Sequence, residues 1–311
     1  MPDAKLPVGL FADPFCKEHD SGVGHPESPL RFDAVLRGLE EAALLPRLLR
    51  LEPRKVSREE LLRVHTAAYL DRAEREIVSG SDQLSTGDTS VGPHSWDAAH
   101  RAAGSTLAAV DAVMTGKVSR AFCAVRPPGH HATPDRGMGF CILNNVALAA
   151  RRAQKQHGIE RVLIVDWDVH HGNGTQDAFY SDPSVFFFST HQWPLYPGTG
   201  RAEETGAGEG IGTTLNCPLP AGSGRTEIFS AFEKKLLPEV ERFRPEFILI
   251  SAGFDSRIND PLGQFTLEDR DFADLTRLML DVAARHAQGR LVSVLEGGYN
   301  LQGLAKASAA H

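Results

Sequence analysis

Short apolar runs alternate with segments of helical periodicity along most of this chain. Each run is nearly continuous in apolar residues, which is typical of strands that are covered on both faces. The runs predict strands at residues 7–11, 121–125, 161–165, 185–189, 247–251 and 291–295. Because these strands alternate with helices, the pattern predicts an α/β fold with a parallel sheet between two layers of helices. The order of the strands stays open.

Apolar side chains recur at helical spacing between the predicted strands. The clearest case is the segment 94–115, where one stripe contains Trp96, Ala99, Ala103, Leu107, Val110 and Met114. The same spacing predicts helices over 142–157, 226–243 and 267–287. We interpret these stripes as core packing, the ordinary use of such a pattern. No repeat and no linker of low complexity divides the chain, so we expect a single domain over residues 1–311.

Polar, glycine and histidine residues cluster directly after five of the predicted strands. The clusters are R-P-P-G-H-H at 126–131, D-W-D-V-H-H-G-N-G at 166–174, T-H at 190–191, A-G-F-D at 252–255 and E-G-G-Y-N at 296–300. In open parallel sheets, ligands bind beyond the carboxyl ends of the strands. The five clusters therefore predict one active site at one edge of the sheet.

Asp168 and His170 are candidate metal ligands. Residues two apart on an extended segment point the same way, roughly 6–7 Å apart along the backbone, so both side chains can reach one cation. Asp255, at another strand end, is the natural third ligand. Two carboxylates and one imidazole favour a borderline metal such as Zn²⁺ or Fe²⁺ over Mg²⁺. Three protein ligands leave a position open for water and substrate, which indicates a catalytic site.

His130 and His131 are candidates for acid–base catalysis, and they follow a Pro-Pro-Gly turn at 127–129 that restricts the backbone. An imidazole titrates near neutral pH, so it can take a proton from water or give one to a leaving amine. Each ring needs a partner that fixes its tautomer. Asp166 and Asn173 are the nearest candidates in the neighbouring cluster.

Tyr299 follows two glycines at the end of the last predicted strand. The glycines allow a sharp turn that can aim the phenol into the site. With a pKa near 10, the phenol stays protonated at neutral pH and can donate a hydrogen bond to an oxyanion. A Gly-Gly-Tyr sequence alone is also typical of a packed tyrosine, so this role depends on the neighbouring motifs.

Composition excludes several classes of protein. The 311 residues are 41% hydrophobic and 23% charged, which describes an ordinary globular chain rather than a disordered one. The net charge of −7 and the lack of a block of Lys and Arg disfavour direct nucleic-acid binding. Four dispersed cysteines without a C-x-x-C predict a reducing compartment. We see no signal peptide and no apolar run of membrane-spanning length, and we expect a cytoplasmic protein.

The motifs together resemble the zinc-dependent histone deacetylase superfamily. The matching segments are H-P-E-S-P-x-R at 25–31, R-P-P-G-H-H at 126–131, G-F-C at 139–141, D-W-D-V-H-H-G-N-G-T-Q at 166–176, S-A-G-F-D at 251–255 and E-G-G-Y-N at 296–300. They cover nearly the whole chain in the family's order. Asn173 and the glutamate before Gly-Gly-Tyr are similar to class II members and their bacterial relatives, since class I members usually have an aspartate at the position of Asn173.

This resemblance implies an arginase–deacetylase fold with a central eight-stranded parallel sheet. It assigns the three candidate ligands to one catalytic Zn²⁺, with Fe²⁺ as an alternative. It pairs His130 with Asp166 and His131 with Asn173, and it makes His131 the general base and acid. By the same resemblance, Tyr299 polarises the acyl carbonyl. Members often continue as a helix beyond this tyrosine, so a chain longer than 311 residues is one expectation.

A narrow substrate channel and two further sites are also implied. The channel residues would be Gly139 and Phe140, with Tyr196 or Leu195 opposite. Arg31 corresponds to an arginine near the acetate exit, and Asp88 is a candidate for holding the substrate backbone. A structural K⁺ or Na⁺ would be held, partly through backbone oxygens, by Asp166, Asp168, His170, Ser189 and Thr190.

Leu262 bears on the substrate. Polyamine-selective relatives in the class II branch have a glutamate at this position, which attracts a second ammonium group. An apolar Leu262 at the channel favours acyl-lysine substrates over acetylpolyamines, although bacterial polyamine deacetylases reach their selectivity by other means.

We therefore expect a zinc-dependent deacylase that hydrolyses an N-acyl amide of lysine or a similar amine and releases acetate. The alternatives are an acetylpolyamine or small-amide amidohydrolase, a two-metal ureohydrolase and a non-catalytic acyl-lysine-binding homologue. We expect an acylated amine as the partner and no nucleic acid or membrane. The physiological substrate, the acyl length and the oligomeric state stay open.

Overall fold

The computed structural model describes residues 6–311 and confirms the predicted α/β fold with its eight-stranded parallel sheet. The strands run in the order β2-β1-β3-β8-β7-β4-β5-β6, and every neighbouring pair is parallel. Their bounds are β1 Val8–Phe11, β2 Leu48–Arg50, β3 Arg120–Cys123, β4 Val162–Asp166, β5 Val185–Gln192, β6 Thr214–Leu219, β7 Phe247–Ala252 and β8 Leu291–Leu295.

Helices connect the strands and cover the sheet. They are α1 Leu30–Glu41, α2 Arg58–Leu61, α3 Ala67–Val78, α4 Ser95–Met114, α5 Asn145–His157, α6 Asn173–Phe179, α7 Arg225–Ala231, α8 Leu237–Phe243, α9 Asp269–His286 and α10 Leu301–Ala310. All four predicted helical segments are confirmed. A π-helical turn at Phe232–Leu236 joins α7 to α8 inside the segment predicted as 226–243.

Only β2 and β6 lack a counterpart among the predicted strands, and both lie at the edges of the sheet. An edge strand is covered incompletely, so it has no need for a continuous apolar run. In β2 the last two residues are exposed, and β6 contains Pro218. Proline is tolerated at an edge because its missing N–H need not pair with a further strand.

The two faces of the sheet pack against different helices. Along β4, Leu163 and Val165 join a core cluster with residues of α1, α9 and α10, whereas Val162 and Ile164 join a cluster with α4 and α5. Successive side chains of a strand point to opposite faces, so a strand buried on both sides needs apolar residues throughout. This requirement explains the continuous apolar runs of the sequence.

The strand register aligns the carboxyl ends of the central strands. Asp166, the last residue of β4, lies beside Ser189 of β5 and Ser251 of β7. Ala252 at the end of β7 lies beside Leu295 at the end of β8. The predicted polar clusters therefore leave the sheet at one edge, as expected for parallel strands.

Glu296, directly after β8, connects this edge to the loop that carries the paired histidines. Its fully buried carboxylate accepts hydrogen bonds from the backbone N–H groups of Gly129 (2.7 Å) and His130 (3.1 Å). The hydroxyl of Ser251 donates to its other oxygen at 3.1 Å. Burial raises the pKa of Glu296 to about 7 despite the nearby ring of His130. One side chain directly after β8 thus fixes the backbone of the histidine pair.

His65 provides a second connection to the same loop. Its Nδ1 lies 3.0 Å from the carbonyl oxygen of Thr133, and its Nε2 accepts from the backbone N–H of Asn144 at 3.0 Å. Asn144 in turn caps α5 by accepting from the N–H of Ala147. Both contacts need a neutral ring with its hydrogen on Nδ1. Burial lowers the pKa of His65 to about 4, which keeps the ring neutral at neutral pH.

Truncating Glu296 should cost far more than neutralising it. Glu296→Ala leaves two buried N–H groups without their acceptor, and we expect the free energy of unfolding to fall by about 2–5 kcal/mol. Glu296→Gln retains a carbonyl oxygen for both groups and should cost less than half as much. Urea unfolding of both variants and the wild type measures the difference. Equal losses in the two variants would contradict the proposed contacts.

The neutral state of His65 should make stability depend on pH. Between about pH 6.5 and about pH 4, this histidine binds a proton in the unfolded chain but stays neutral in the folded chain. The free energy of unfolding therefore decreases as the pH is lowered through this window. We expect the wild type to lose about 2–3 kcal/mol more than His65→Gln between pH 7 and pH 4. Unfolding titrations at several pH values test this. Parallel stability curves for the two proteins would rule out the contribution of His65.

Candidate active site

The three predicted metal ligands meet at the carboxyl edge of the sheet. Asp168 and His170 follow β4, and Asp255 follows β7; one ligand atom from each lies within 4.8 Å of the others. The Nδ1 atom of His170 is 3.1 Å from Oδ1 of Asp168 and 3.3 Å from Oδ2 of Asp255. All three residues are buried. The structure therefore forms a compact, three-ligand cluster from two loops.

The charges of this cluster fit a divalent cation. Burial, together with the neighbouring Asp168, raises the pKa of Asp255 to about 7. Burial opposes a charged His170, but the two carboxylates outweigh it and raise the pKa of this ring to about 10. Oδ2 of Asp255 is buried and receives no hydrogen bond within residues 6–311. A cation would satisfy this oxygen and neutralise both carboxylates, and the mixed donor set suits a borderline metal.

Two glycines of the sequence motifs are required by the close approach of these carboxylates. A Cβ atom at Gly297 would lie 2.0 Å from Oδ2 of Asp255, and a Cβ atom at Gly253 would lie 2.2 Å from Oδ2 of Asp168. The backbone N–H of Gly297 donates to Oδ2 of Asp168 at 2.8 Å. The glycines of G-F-D and E-G-G-Y thus make room for the acidic side chains.

His130 and His131 lie beside the cluster, with ring centroids 4.0 Å apart. Nδ1 of His130 is 2.9 Å from Oδ2 of Asp166, and Nδ1 of His131 is 2.8 Å from Oδ1 of Asn173. The structure therefore forms both pairs that the sequence led us to expect. Because the amide oxygen of Asn173 only accepts, His131 carries its hydrogen on Nδ1 and leaves Nε2 free to accept a proton.

The two rings have opposite electrostatic environments. Burial opposes a charge on His130, but Asp166 and Asp168 outweigh it and raise the pKa of this ring well above its usual value. Burial and the positive charges of His130 and His170 hold the pKa of His131 well below its usual value. Titratable groups whose environments separate their pKa values are the usual arrangement of an acid–base pair.

Tyr299 lies next to the same cavity. Its backbone N–H donates to Oδ2 of Asp260 at 2.7 Å, and the guanidinium of Arg31 lies 5.0 Å from its ring centroid. Burial raises the pKa of the phenol well above its usual value, although Arg31 acts in the opposite direction. The hydroxyl therefore stays protonated and able to donate.

Arg31 is fully buried below the tyrosine loop. It donates from Nε to the carbonyl oxygen of Gly298 at 2.7 Å and from Nη1 to Glu27 at 3.1 Å, and it also donates to the carbonyl oxygen of Glu296. Glu27 also pairs with Arg126 at 2.6 Å. Arg31 therefore supports the turn before Tyr299, and its role at an acetate exit stays a prediction.

A cavity of about 290 Å³ leads to the cluster and contains every predicted channel residue. Its lining consists of Asp88, His131, Gly139, Phe140, His170, Leu195, Tyr196, Leu262 and Tyr299. Gly139 has φ 57° and lies so close to His131 that a Cβ atom would be 2.3 Å from the imidazole ring. Phe140 also has a positive φ, 67°, and thereby presents its ring as one wall.

The residues expected to hold a monovalent cation are buried side by side. Asp166 of β4 pairs in register with Ser189 of β5, and Thr190 follows. The hydroxyl of Thr190 has no hydrogen-bond partner within the described residues, whereas Ser189 contacts His191 at 2.9 Å. A cation at this place stays a prediction.

Glu296 and Asp260 support the site in ways that the sequence did not predict. Asp260 accepts from the N–H groups of Tyr299 and Asn300 through Oδ2 and from that of Leu262 through Oδ1. An aspartate directly before a proline, in a loop that follows a buried strand, is a signal for such backbone contacts. The partners of Glu296 are 166 and 167 positions away in the sequence, so no local pattern indicates them.

No helix within residues 6–311 has the length and apolar character needed to cross a membrane.

The chain is similar to proteins from all domains of life. A "Probable deacetylase" of Archaeoglobus fulgidus is 43% identical over 94% of this chain and 81% of that protein. A "Histone deacetylase-like amidohydrolase" of Pseudomonas aeruginosa is 42% identical over 95% of this chain and 76% of that protein. The human "Polyamine deacetylase HDAC10" is 41% identical over 96% of this chain but only 44% of its own length.

The crystal structure of the HDA15 HD domain superposes with a TM-score of 0.93 at 36% identity, covering 98% of this chain and 88% of that one. The family model of the histone deacetylase domain matches residues 25–311. Because that model covers most of the chain and the relatives above are more than 40% identical to it, the chain belongs to the histone deacetylase family.

Proposed function

We propose that this chain is a zinc-dependent deacylase, organised as a single catalytic domain over residues 1–311, which hydrolyses an N-acetyl amide of a lysine side chain or similar amine. One observation carries the proposal: His131, His170 and Tyr299 line one cavity, and His170 forms a compact cluster with the other two candidate ligands, Asp168 and Asp255. Metal, base and hydrogen-bond donor are the parts that amide hydrolysis requires.

Asp168, His170 and Asp255 would hold the metal, for which we favour Zn²⁺ with Fe²⁺ as the alternative. When bound, such an ion lowers the pKa of a water molecule and polarises the amide carbonyl. The ordered carboxylates need this positive charge in any case, because two buried carboxylates repel each other.

The neighbouring side chains would move the protons. Nε2 of His131, left free by the contact with Asn173, takes the proton of the attacking water and then returns it to the leaving amine. His130, held by Asp166, stays charged and stabilises the negative charge that develops in the site. The hydroxyl of Tyr299 donates to the carbonyl oxygen as this oxygen becomes an anion.

The walls of the cavity favour an extended alkyl chain. Phe140 and Tyr196 both line the cavity and would contact the methylene groups of an acylated lysine. Leu262 provides apolar surface where polyamine-selective relatives have a glutamate, which disfavours the acetylpolyamine alternative. Acetate would leave near Arg31, and a K⁺ or Na⁺ ion near Ser189 and Thr190 would stabilise the loop of the ligands.

The protein should bind one catalytic divalent ion per chain. Elemental analysis after exchange into Zn²⁺ should give about one equivalent, because three ligands serve a single ion. A chelator should abolish hydrolysis of a fluorogenic acetyl-lysine substrate, and Zn²⁺ should restore it. Asp255→Ala should lose the ion. Two equivalents would favour a ureohydrolase, and a fully loaded but inactive protein would favour a non-catalytic homologue.

Tyr299→Phe should lower kcat without removing the metal. Loss of one donor to the oxyanion is expected to cost about 100- to 1000-fold in kcat. The expected metal content equals that of the wild type, since the phenol is not a ligand. Turnover of an acetyl-lysine peptide and elemental analysis on the same sample measure both quantities. A variant that turns over at the wild-type rate would refute the role of the tyrosine.

A further inference from the structure

Asp88 connects the two walls of the cavity at its mouth. Its Oδ1 accepts a hydrogen bond from the backbone N–H of Gly139 at 2.7 Å and one from the hydroxyl of Tyr196 at 3.2 Å. Gly139 precedes the wall residue Phe140, and Tyr196 is another wall residue of the same cavity. Both donors use the same oxygen, so together they fix how the carboxylate is turned.

The second oxygen of Asp88 stays available. Within residues 6–311, Oδ2 receives no hydrogen bond, and the carboxylate forms no ion pair with Lys, Arg or His. The residue is exposed and also lines the cavity. An unpaired carboxylate oxygen at the entrance of a channel is suited to accept from an N–H group of whatever enters.

The hydroxyl of Tyr196 is not needed for the wall itself. Its ring lies edge-on to His131, with centroids 5.2 Å apart, and a phenyl ring could make the same contact. The phenol stays protonated, because burial and the negative charge of Asp88 raise its pKa. Among the described residues, this hydroxyl donates a hydrogen bond to Asp88.

We propose that the hydroxyl of Tyr196 is a specificity-determining positioning group that acts through Asp88. By occupying Oδ1, it holds the carboxylate so that Oδ2 accepts from an N–H donor of the substrate outside the channel. That donor is a main-chain amide of a peptide, and the ammonium group of a polyamine is the alternative that the test distinguishes. The inference rests on the proposed function, because it concerns the substrate of the same cavity.

Tyr196→Phe tests this role without changing the shape of the wall. The substrates are an acetyl-lysine peptide and its depsipeptide analogue, in which ester oxygens replace the amide N–H groups on both sides of the lysine. We expect the variant to raise KM for the peptide about three- to tenfold and to change kcat by less than about twofold. KM for the depsipeptide should stay the same.

Asp88→Asn is the second variant, and the Tyr196→Phe substitution is then repeated in it. The carbonyl oxygen of asparagine can accept from Gly139 and Tyr196, but its NH₂ group then replaces the free oxygen and cannot accept. This variant should therefore raise KM for the peptide and not for the depsipeptide. If Tyr196 acts through Asp88, adding Tyr196→Phe to Asp88→Asn should change KM no further.

A second pair of substrates identifies the donor. An N-acetylated diamine carries an ammonium group, and an N-acetylated alkylamine of equal length does not. A Tyr196→Phe effect confined to the peptide pair assigns an amide donor, and an effect confined to the diamine pair assigns an ammonium donor. Tyr180→Phe, which removes a hydroxyl away from the cavity, is the control and should leave all values unchanged.

Three results would overturn the inference: an unchanged KM for both donor substrates, an equal rise for substrates with and without the donor, or a full effect of Tyr196→Phe on top of Asp88→Asn. The dissociation constants of the same compounds are measured by calorimetry for each protein. If the wild type hydrolyses none of these compounds, the proposed function fails. The ratio of the variant's dissociation constant to that of the wild type then decides the role of Tyr196 by the same criteria.

Discussion

Two carboxylates share one small buried space, and much of the site follows from that constraint. Asp168 and Asp255 lie beside the imidazole of His170 with no solvent to separate their charges. Such a group is stabilised by a positive charge, which the imidazole of His170 or a bound cation can supply, because the desolvation of unpaired charges is expensive. Gly253 and Gly297 are required since any side chain there would overlap the carboxylates. The motif glycines and the fit of the cluster to a cation therefore have one physical origin.

A second consequence is that the two adjacent histidines lie in different electrostatic environments. Their sequence environment is nearly the same, yet His130 contacts a carboxylate and His131 contacts an amide. The carboxylate favours the charged ring, whereas the amide only fixes a tautomer. One ring is thereby suited to stabilise negative charge and the other to accept a proton. Glu296 holds the backbone of the pair, so both rings keep these partners.

The residues proposed to carry out the chemistry and the residues proposed to select the substrate lie at different depths in the cavity. The ligands and the histidines are buried at the ends of the strands, where the sheet fixes their positions. Asp88, Tyr196 and Leu262 lie on loops at the mouth, where Asp88 accepts from Gly139 and Tyr196, and the backbone N–H of Leu262 donates to Asp260. Loops tolerate substitution better than a sheet core does. Under the proposed function, changes at the mouth can therefore alter which amine is accepted without altering how the amide is hydrolysed.

The sequence by itself determined the central strands and the main helices, because a strand buried on both faces must be apolar throughout. From the polar residues that follow these strands, it also predicted which side chains form the chemical site. It could not determine the edge strands β2 and β6, whose incomplete burial removes that requirement. Only the family resemblance implied that the central sheet has eight strands. Only the tertiary structure showed that Glu296 accepts from Gly129 and His130 and that Asp88 joins two walls. Such contacts join residues far apart in the chain, and they are decided by how the loops pack rather than by any local pattern.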